Sequence, residues 1–134
     1  MIDEARSWCG VPFVFNGRSR KGVDCIGLLV LSLAAVTGQT LELQPYSRLA
    51  GTDHATGELN RFARRVRLED AAPGDVLILN YNHRLTHLGL LSDRRTVIHA
   101  LAKARVVCEQ SLDHPDVAGR IVAAYRFDIF GESL

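Results

Sequence analysis

Residues 22–36 read GVDCIGLLVLSLAAV, and the rest of the chain is organised around this stretch. The run after Cys25 is apolar apart from Ser32, contains no proline and is followed by Gly38. An apolar run that stops at a glycine is typical of a buried helix with a glycine at its C-terminal end. The sequence therefore predicts a buried helix over about residues 24–37, with Cys25 in its first turn.

The position of Cys25 favours a charged sulfur. Backbone N–H groups lack partners in the first turn of a helix, and the helix dipole is positive there. The dipole is worth roughly 0.3–1 kcal/mol, and one pKa unit equals about 1.36 kcal/mol. We therefore expect the helix to lower the thiol pKa by about one unit, so that a strong nucleophile needs a histidine as well. The alternative is that Cys25 is a small buried apolar residue.

Composition indicates an ordinary globular protein. A chain of 134 residues fits a single domain over 1–134, and a net charge of +1 does not favour nucleic acid or an anionic membrane as a partner. Three cysteines without a CxxC pair argue against a disulfide framework or structural zinc. The acidic, polar start is unlike a secretory signal, and the longest apolar run is too short to span a bilayer. We expect a protein that is cytoplasmic when made and is not inserted in a membrane.

Helical patterns precede strand patterns along the chain. Residues 2–9 and 58–66 each predict a short amphipathic helix. After the turn signal Pro73-Gly74-Asp75, β-rich stretches predict strands at 76–79, 87–91, 95–100, 104–109 and 121–127. This order indicates an α+β fold, with the N-terminal helices packed on an antiparallel sheet of five to six strands.

His87 and His99 lie in two consecutive predicted strands, and the hairpin register decides whether they meet. A three-residue loop over 92–94 places them directly opposite each other on one face. A loop over 93–95 makes them diagonal neighbours on one face, and a two-residue loop over 93–94 puts them on opposite faces. In the first two registers His99 can hold one nitrogen of His87 and leave the other free for Cys25. The alternative is two unrelated, half-buried histidines.

A metal site is the rival interpretation of the histidines. His83 and His87 are four residues apart, which is a ligand spacing on a helix. Their segment is predicted as loop and strand, however, and four strand residues cover roughly 13 Å. Since both ligands would have to lie about 2.0–2.1 Å from one zinc ion, we expect no metal. His54 and His114 lie in predicted loops and are expected to be exposed.

Several short motifs, in order, resemble the NlpC-type cell-wall cysteine peptidases. That family shows a Gly-x-Pro-Tyr segment, a glycine-rich loop, Asp-Cys-Ser-Gly-Leu, a Pro-Gly-Asp-Leu strand entry and a His-Val-Gly-Ile strand. The matching segments in this chain are Gly10–Gly17, Asp24–Leu28, Pro73–Leu77, His87–Leu90 and Ile98–Ala100. The resemblance extends over nearly the whole chain.

The resemblance implies a papain-like α+β core with a Cys-His-His triad and neither metal nor organic cofactor. Carried over by position, Cys25 is the nucleophile, His87 the general base and His99 the residue that orients His87. The implied substrates are amide bonds in peptidoglycan stem peptides, commonly the γ-D-glutamyl–diaminopimelyl link. The small size and the closing strand are similar to the phage and prophage tail-associated branch, which implies phage tail proteins as partners and a place on the virion.

Other residues near Cys25 leave alternatives open. Phe13 stands where the family has a tyrosine, so a hydroxyl near the oxyanion is missing and substrate contact changes. Asp24 would either bind the free amine of a stem peptide or cap the helix. Arg18 would either meet a substrate carboxylate or lie in a solvated loop. Residues 45–70 are expected to form one wall of the groove, and Asp75 to shape a turn.

Two other function classes share these residues. One is a non-catalytic tail-assembly component that keeps the fold without turnover, which Phe13 favours and the intact Cys25, His87 and His99 disfavour. The other is an acyltransferase or deamidase with the same triad, because only the acceptor of the acyl group differs.

Overall fold

A computed structural model describes residues 1–40, 59–81 and 85–127, with the backbone alone at Leu85. His54, His83 and the part of the expected groove wall over 45–58 lie outside the described residues. In the part that is described, no helix is long and apolar enough to cross a membrane.

The predicted central helix is present as α2, Cys25–Thr37, and its two ends are formed as the sequence indicates. At the start, a side-chain oxygen of Asp24 accepts the Gly27 N–H at 2.8 Å. At the end, Gly38 adopts the left-handed backbone conformation with φ of 75°. Glycine tolerates that conformation without steric cost, so the helix stops there. Helix α1, Ile2–Arg6, is shorter than the predicted 2–9 helix, since turns occupy the residues that follow it.

In the described parts of the chain, the strands form two sheets. A two-stranded hairpin joins β1, Arg18–Ser19, to β2, Gly22–Val23. Among the described residues, the main sheet has six antiparallel strands in the order β3-β8-β4-β5-β6-β7. Its strands are β3 (Ala63–Val66), β4 (Val76–Tyr81), β5 (Leu85–Asp93), β6 (Thr96–Leu101), β7 (Val106–Ser111) and β8 (Ile121–Phe127). The predicted α+β fold with five to six antiparallel strands is confirmed.

The helix predicted over 58–66 is wrong in its second half, which forms the edge strand β3. Arg64 and Arg65 are exposed, while Ala63 and Val66 are partly buried. All four pair with β8, for example Val66 with Ala124. The open edge of β8 supplies long-range backbone partners that a local pattern cannot reveal, and this pairing overrides helix propensity.

Residues on the two faces of the main sheet pack into separate clusters. On one face, α1 and α2 cover alternate sheet residues such as Leu88, Leu90 and Ile98. On the other face, a third cluster contains Leu77, Leu79, Leu91, Val97, Val117 and Ala124. Strand side chains alternate between faces, so His87, Gly89 and His99 belong to this second face.

The outer edge of the main sheet is covered by the segment that leads into the β1–β2 hairpin. The Gly10 N–H donates to the Val107 carbonyl and the Val107 N–H donates to the Val11 carbonyl, both at 2.9 Å. The Phe13 N–H donates to the Arg105 carbonyl at 2.9 Å. The glycine-containing loop over residues 14–17 follows, and its Asn16 N–H donates to Asp24 at the start of α2.

Candidate active site

A bulge in β5 puts His87 and His99 on the same face. The β5–β6 turn pairs Asp93 with Thr96, but the register then shifts and pairs Leu91 with Val97 and Leu90 with Ile98. The shift leaves Ser92 as the extra residue. Continued along the strands, the shifted register places His99 across from Gly89, with His87 as its diagonal neighbour. This is the diagonal arrangement among the predicted registers, and a bulge rather than a simple three-residue loop produces it.

The two imidazoles are buried and bonded to each other. His87 Nε2 lies 2.8 Å from His99 Nδ1, and the ring centroids are 4.9 Å apart. His87 is 7% exposed and His99 is 0% exposed. The hypothesis that the histidines are unrelated is therefore wrong, and His99 holds one nitrogen of His87 as the orienting role requires.

The polar chain continues beyond the predicted residues. His99 Nε2 lies 2.7 Å from Gln110 Oε1, and Gln110 Nε2 donates to Asp116 Oδ2 at 3.3 Å. Gln110 lies on β7, where Cys108 pairs directly with His99. Sequence reasoning missed Gln110 and Asp116. Two-residue alternation from Cys108 identifies Gln110 once the β6–β7 register is known, but the sequence does not supply that register.

Tyr81 also borders the histidine pair and was not predicted. Its ring lies edge-on to His87 with centroids 5.5 Å apart. Its hydroxyl donates to the backbone carbonyl of Asp116. Burial raises the pKa of Tyr81 to about 12, so the hydroxyl stays protonated near neutral pH.

Cys25 reaches the strand that carries His87. The β5–β6 register ends at Leu90 and Ile98, although both strands continue past that point. The stretch of β5 that contains His87 and Leu88 therefore lies beyond this register. The backbone N–H of Leu88, the next residue after His87, interacts with the thiol of Cys25. Within the described residues, no hydrogen bond joins the thiol to the imidazole of His87. The structure therefore places the sulfur beside the histidine strand, and direct contact between sulfur and ring stays a prediction.

The expected low pKa of Cys25 is wrong. Burial raises the pKa of the thiol to about 12, and the Asp24 carboxylate adds to the increase. The N–H groups of Leu88, Ile26 and Cys25 itself act in the opposite direction but do not outweigh burial. Removing a charge from water costs more than one helix end returns. In this structure the resting thiol is neutral.

Both histidines are also neutral at pH 7. Burial lowers the pKa of His87 well below its ordinary value, and the neighbouring His99 lowers it further. Burial likewise lowers the pKa of His99, although the hydrogen bond to Gln110 opposes the change. The thiol and both imidazoles are thus uncharged, and an unprotonated imidazole is in the protonation state of a general base.

Asp24 is occupied by protein donors. Besides capping α2, its carboxylate accepts the Asn16 N–H at 2.8 Å and an Arg18 N–H at 3.0 Å. Asp24 is 2% exposed. These contacts are those of a helix cap that also holds the glycine-containing loop, and Arg18 serves the same clasp. Binding of a substrate amine by Asp24, or of a substrate carboxylate by Arg18, stays a prediction.

The remaining predicted residues have structural surroundings. Phe13 is partly buried and packs against the cluster around Trp8 and Leu28. Cys9 and Cys108 are free thiols, Cys9 exposed and Cys108 partly buried. Asp75 accepts the Ala72 N–H, as the turn prediction requires, and also pairs with Arg126. In the part of the chain that is described, no group of three or more His, Cys, Asp and Glu residues is arranged to hold a metal ion.

The structure is an α+β domain in which a cysteine begins a buried helix. The neighbouring strand carries one of two hydrogen-bonded histidines. These features define the class of protein: α+β domains with a cysteine–histidine site. The chain belongs to the NlpC/P60 family, whose sequence model matches residues 10–126. The predicted family resemblance is confirmed, while the tail-associated branch stays a prediction.

Named relatives agree with this family. The chain is 25% identical over 114 residues to the probable endopeptidase NlpC of Escherichia coli (strain K12), which covers 84% of this chain and 66% of the relative. The chain thus spans just under two thirds of that relative's length. The structure is similar to the NlpC/p60 domain of the peptidoglycan hydrolase SagA, with a TM-score of 0.71, 19% identity, and 94% of this chain and 95% of that one covered.

One structural neighbour has a different role. RipD from Mycobacterium tuberculosis, described as a non-catalytic NlpC/p60 domain protein adapted to peptidoglycan binding, has a TM-score of 0.64 and 17% identity. The match covers 93% of this chain and 92% of that one. The fold therefore occurs with and without catalysis, and the residues of this site must support any claim of activity.

Proposed function

We propose that this protein is a cysteine endopeptidase that cleaves amide bonds in peptidoglycan stem peptides, with the γ-D-glutamyl–diaminopimelyl link as its substrate. The observation that carries the proposal is the His87–His99 bond, which occupies one nitrogen of His87 and leaves Nδ1 for a proton from Cys25. The sulfur already lies beside Leu88, one residue along β5.

Hydrolysis proceeds in two steps, acylation of Cys25 and release of the acyl group to water. The Cys25 sulfur attacks the amide carbon while its proton passes to His87 Nδ1. The C–N bond then breaks, the leaving amine takes that proton, and a thioester joins the acyl group to Cys25. Water attacks the thioester with His87 as base, which releases a carboxylic acid and restores the thiol. Backbone N–H groups at the start of α2 stabilise the oxyanion in both tetrahedral intermediates.

The raised thiol pKa determines how the first step starts. Because both the thiol and His87 are neutral, proton transfer accompanies attack on the substrate instead of preceding it. In this proposal a stem peptide brings its carbonyl to the sulfur, and movement of the Cys25 side chain brings the sulfur to His87. Catalytic hydrogen bonds often tighten only in the substrate complex.

A second candidate is a non-catalytic peptidoglycan-binding domain. The absence of a hydrogen bond between Cys25 and His87 within the described residues favours it, as does the neutral thiol. A transferase or deamidase would use the same thioester with a different acceptor. The tail-associated setting, with phage tail proteins as partners, remains the setting suggested by the sequence resemblance.

The test is incubation with purified peptidoglycans of several wall types, followed by mass spectrometry of soluble fragments. We expect cut stem peptides with the wild-type protein, none with Cys25→Ala, and wild-type yields with Cys9→Ala as the matched thiol control. Cut stem peptides from Cys25→Ala would contradict the proposal that Cys25 is the nucleophile. Pull-down of intact peptidoglycan by both proteins without new fragments would support the binding domain instead.

A further inference from the structure

Three further side chains extend the hydrogen bonding from the proposed base, His87. His87 bonds to His99, His99 to Gln110, and Gln110 to Asp116, with distances of 2.8, 2.7 and 3.3 Å. Three neighbouring strands supply the first three, because His87 lies on β5, His99 on β6 and Gln110 on β7. Asp116 lies in the segment between β7 and β8.

The chemistry of Asp116 gives this chain a direction. An ionised carboxylate only accepts hydrogen bonds, so the group that Gln110 turns toward it is the amide NH₂. The Gln110 carbonyl oxygen then faces His99 Nε2 and only accepts, which requires a proton on Nε2. A neutral imidazole has one N–H, so His99 Nδ1 is an acceptor. His87 therefore donates from Nε2, and its Nδ1 carries a lone pair.

Asp116 is held from several sides. Lys103 Nζ donates to its Oδ1 at 2.9 Å, and the Tyr81 hydroxyl donates to its backbone carbonyl. Its own N–H donates to His114 Nδ1 at 3.0 Å. The Lys103 ammonium and the Gln110 amide keep the pKa of the Asp116 carboxyl below its ordinary value. The carboxylate is therefore ionised and immobilised at neutral pH.

We propose that Gln110, oriented by Asp116, is a positioning residue that sets the tautomers of His99 and His87 and so keeps the Nδ1 of His87 unprotonated. This inference rests on the proposed function, since it explains which nitrogen of His87 serves as the base. Both histidines have lowered pKa values, so tautomer rather than charge decides which nitrogen is available at pH 7.

A residue that sets the tautomers gives different results in two substitutions that would act alike if Gln110 were only structural. In Gln110→Met the length of the side chain is kept, but His99 Nε2 loses its acceptor and the proton can move to Nδ1. His99 would then donate to His87 Nε2, which places the remaining proton of His87 on Nδ1. In Gln110→Glu one oxygen still accepts from His99 Nε2, and the other, which replaces the amide NH₂, carries a proton that it donates to Asp116, so the original tautomers persist.

Nitrogen-15 NMR of the histidine rings in the substrate-free protein reads the tautomers directly. We expect Nε2–H at both His87 and His99 in the wild type and in Gln110→Glu, and a second population with Nδ1–H in Gln110→Met. Asp113→Asn is the matched control, because Asp113 is an exposed carboxylate in the same segment that pairs with Arg95. We expect it to leave the ring signals unchanged.

Peptidoglycan cleavage supplies the second readout. For Gln110→Met we expect kcat to fall about 10–100-fold with KM nearly unchanged, since an incorrect tautomer removes the base without affecting substrate contacts. Gln110→Glu should recover most of that loss. Equal losses in both variants, with unchanged ring signals, would overturn the inference while leaving the hydrolase intact. The expected tautomers in a protein that cuts no peptidoglycan would support the inference and contradict the proposed function.

Discussion

Gly89 and Val97 approach each other so closely across β5 and β6 that no side chain fits between them. A Cβ atom added at Gly89 would lie 2.5 Å from Val97 Cγ2 and 3.3 Å from His99 Cβ. Contacts under 3.0 Å do not occur without movement, and Val97 is fully buried with a stiff, β-branched side chain. The glycine therefore makes room for the strand segment that carries His99.

We predict that Gly89→Ala destabilises the protein by about 1–3 kcal/mol, as overpacking of a full core does. Urea unfolding measures the loss. The double variant Gly89→Ala, Val97→Ala should be less destabilised than the sum of the two single variants, because the second change removes the atom that clashes. Simple additivity would show that Val97 is not the obstacle.

We predict that Asp24→Asn lowers the pKa of Cys25. The Asp24 carboxylate raises the pKa of the neighbouring thiol, so its neutralisation stabilises the thiolate. The pH dependence of iodoacetamide labelling at Cys25, followed by peptide mass spectrometry, measures the change. Exposed Cys9 serves as an internal reference in each sample. A midpoint at or above that of the wild type would contradict the electrostatic cause.

Two substitutions at Asp24 test its role as the cap of α2. Asparagine keeps one oxygen for the Gly27 N–H and the Arg18 N–H, which share Oδ1, but its NH₂ group cannot accept from the Asn16 N–H, which bonds to Oδ2. We expect a loss of about 0.5–2 kcal/mol in urea unfolding for Asp24→Ala, the usual cost of a lost cap, and a smaller loss for Asp24→Asn. Equal stability of all three proteins would mean that the cap and clasp contribute nothing.

The parts of this structure that could be predicted from sequence have local causes. Helix α2 follows from an apolar run between a capping aspartate and a glycine, and five of the six strands of the main sheet follow from β-rich runs. The shared face of His87 and His99 could be predicted only as one of several registers, because the shift at Ser92 depends on how the whole hairpin packs. Gln110 and strand β3 depend on pairing with distant strands.

The sign of the Cys25 pKa shift could not be predicted for a similar reason. Its position at the start of α2 indicates a lowered pKa, and that local effect is present among the N–H groups around the sulfur. The larger effect is burial against β5, which requires the packed structure. The sequence indicates that Cys25 lies at a helix start, where the dipole lowers a thiol pKa. It does not indicate how far the folded protein removes the sulfur from water.

We predict that loss of the Asp75–Arg126 pair destabilises the closing strand. Arg126 donates to both carboxylate oxygens of Asp75 at 2.9 Å, and the Asp75 side chain is 3% exposed. Arg126→Met leaves that carboxylate buried without its cation. We expect a loss of about 1–3 kcal/mol, less than the 3–5 kcal/mol typical of fully buried pairs, because Arg126 is 34% exposed.

Urea unfolding of Arg126→Met measures this loss, and Arg95→Met is the matched control. Arg95 forms an ion pair with Asp113 in which both side chains are more than three-quarters exposed, at 77% and 76%. Exposed pairs contribute little, so the control should remain within about 0.5 kcal/mol of the wild type. Comparable losses in the two variants would contradict a special role for the buried carboxylate.

The last prediction concerns acid stability and follows from the neutral histidine pair. The pKa values of His87 and His99 are lowered in the folded protein, whereas in the unfolded chain each returns to about 6.5. Below that pH the unfolded chain binds more protons than the folded one, so the free energy of unfolding decreases as the pH falls. Above about pH 6.5 both states are neutral and this contribution to stability is complete. Each histidine accounts for up to about 1.36 kcal/mol per pH unit below 6.5.

Urea midpoints between pH 7.5 and 5 should therefore fall in the wild type and fall less steeply in His87→Gln, before most carboxylates titrate. The rate of peptidoglycan cleavage should fall only at a pH well below 6.5, because His87 acts while unprotonated and its pKa is lowered in the folded protein. A wild-type midpoint that stays level across this range would mean that the pair is charged or solvated in the folded protein.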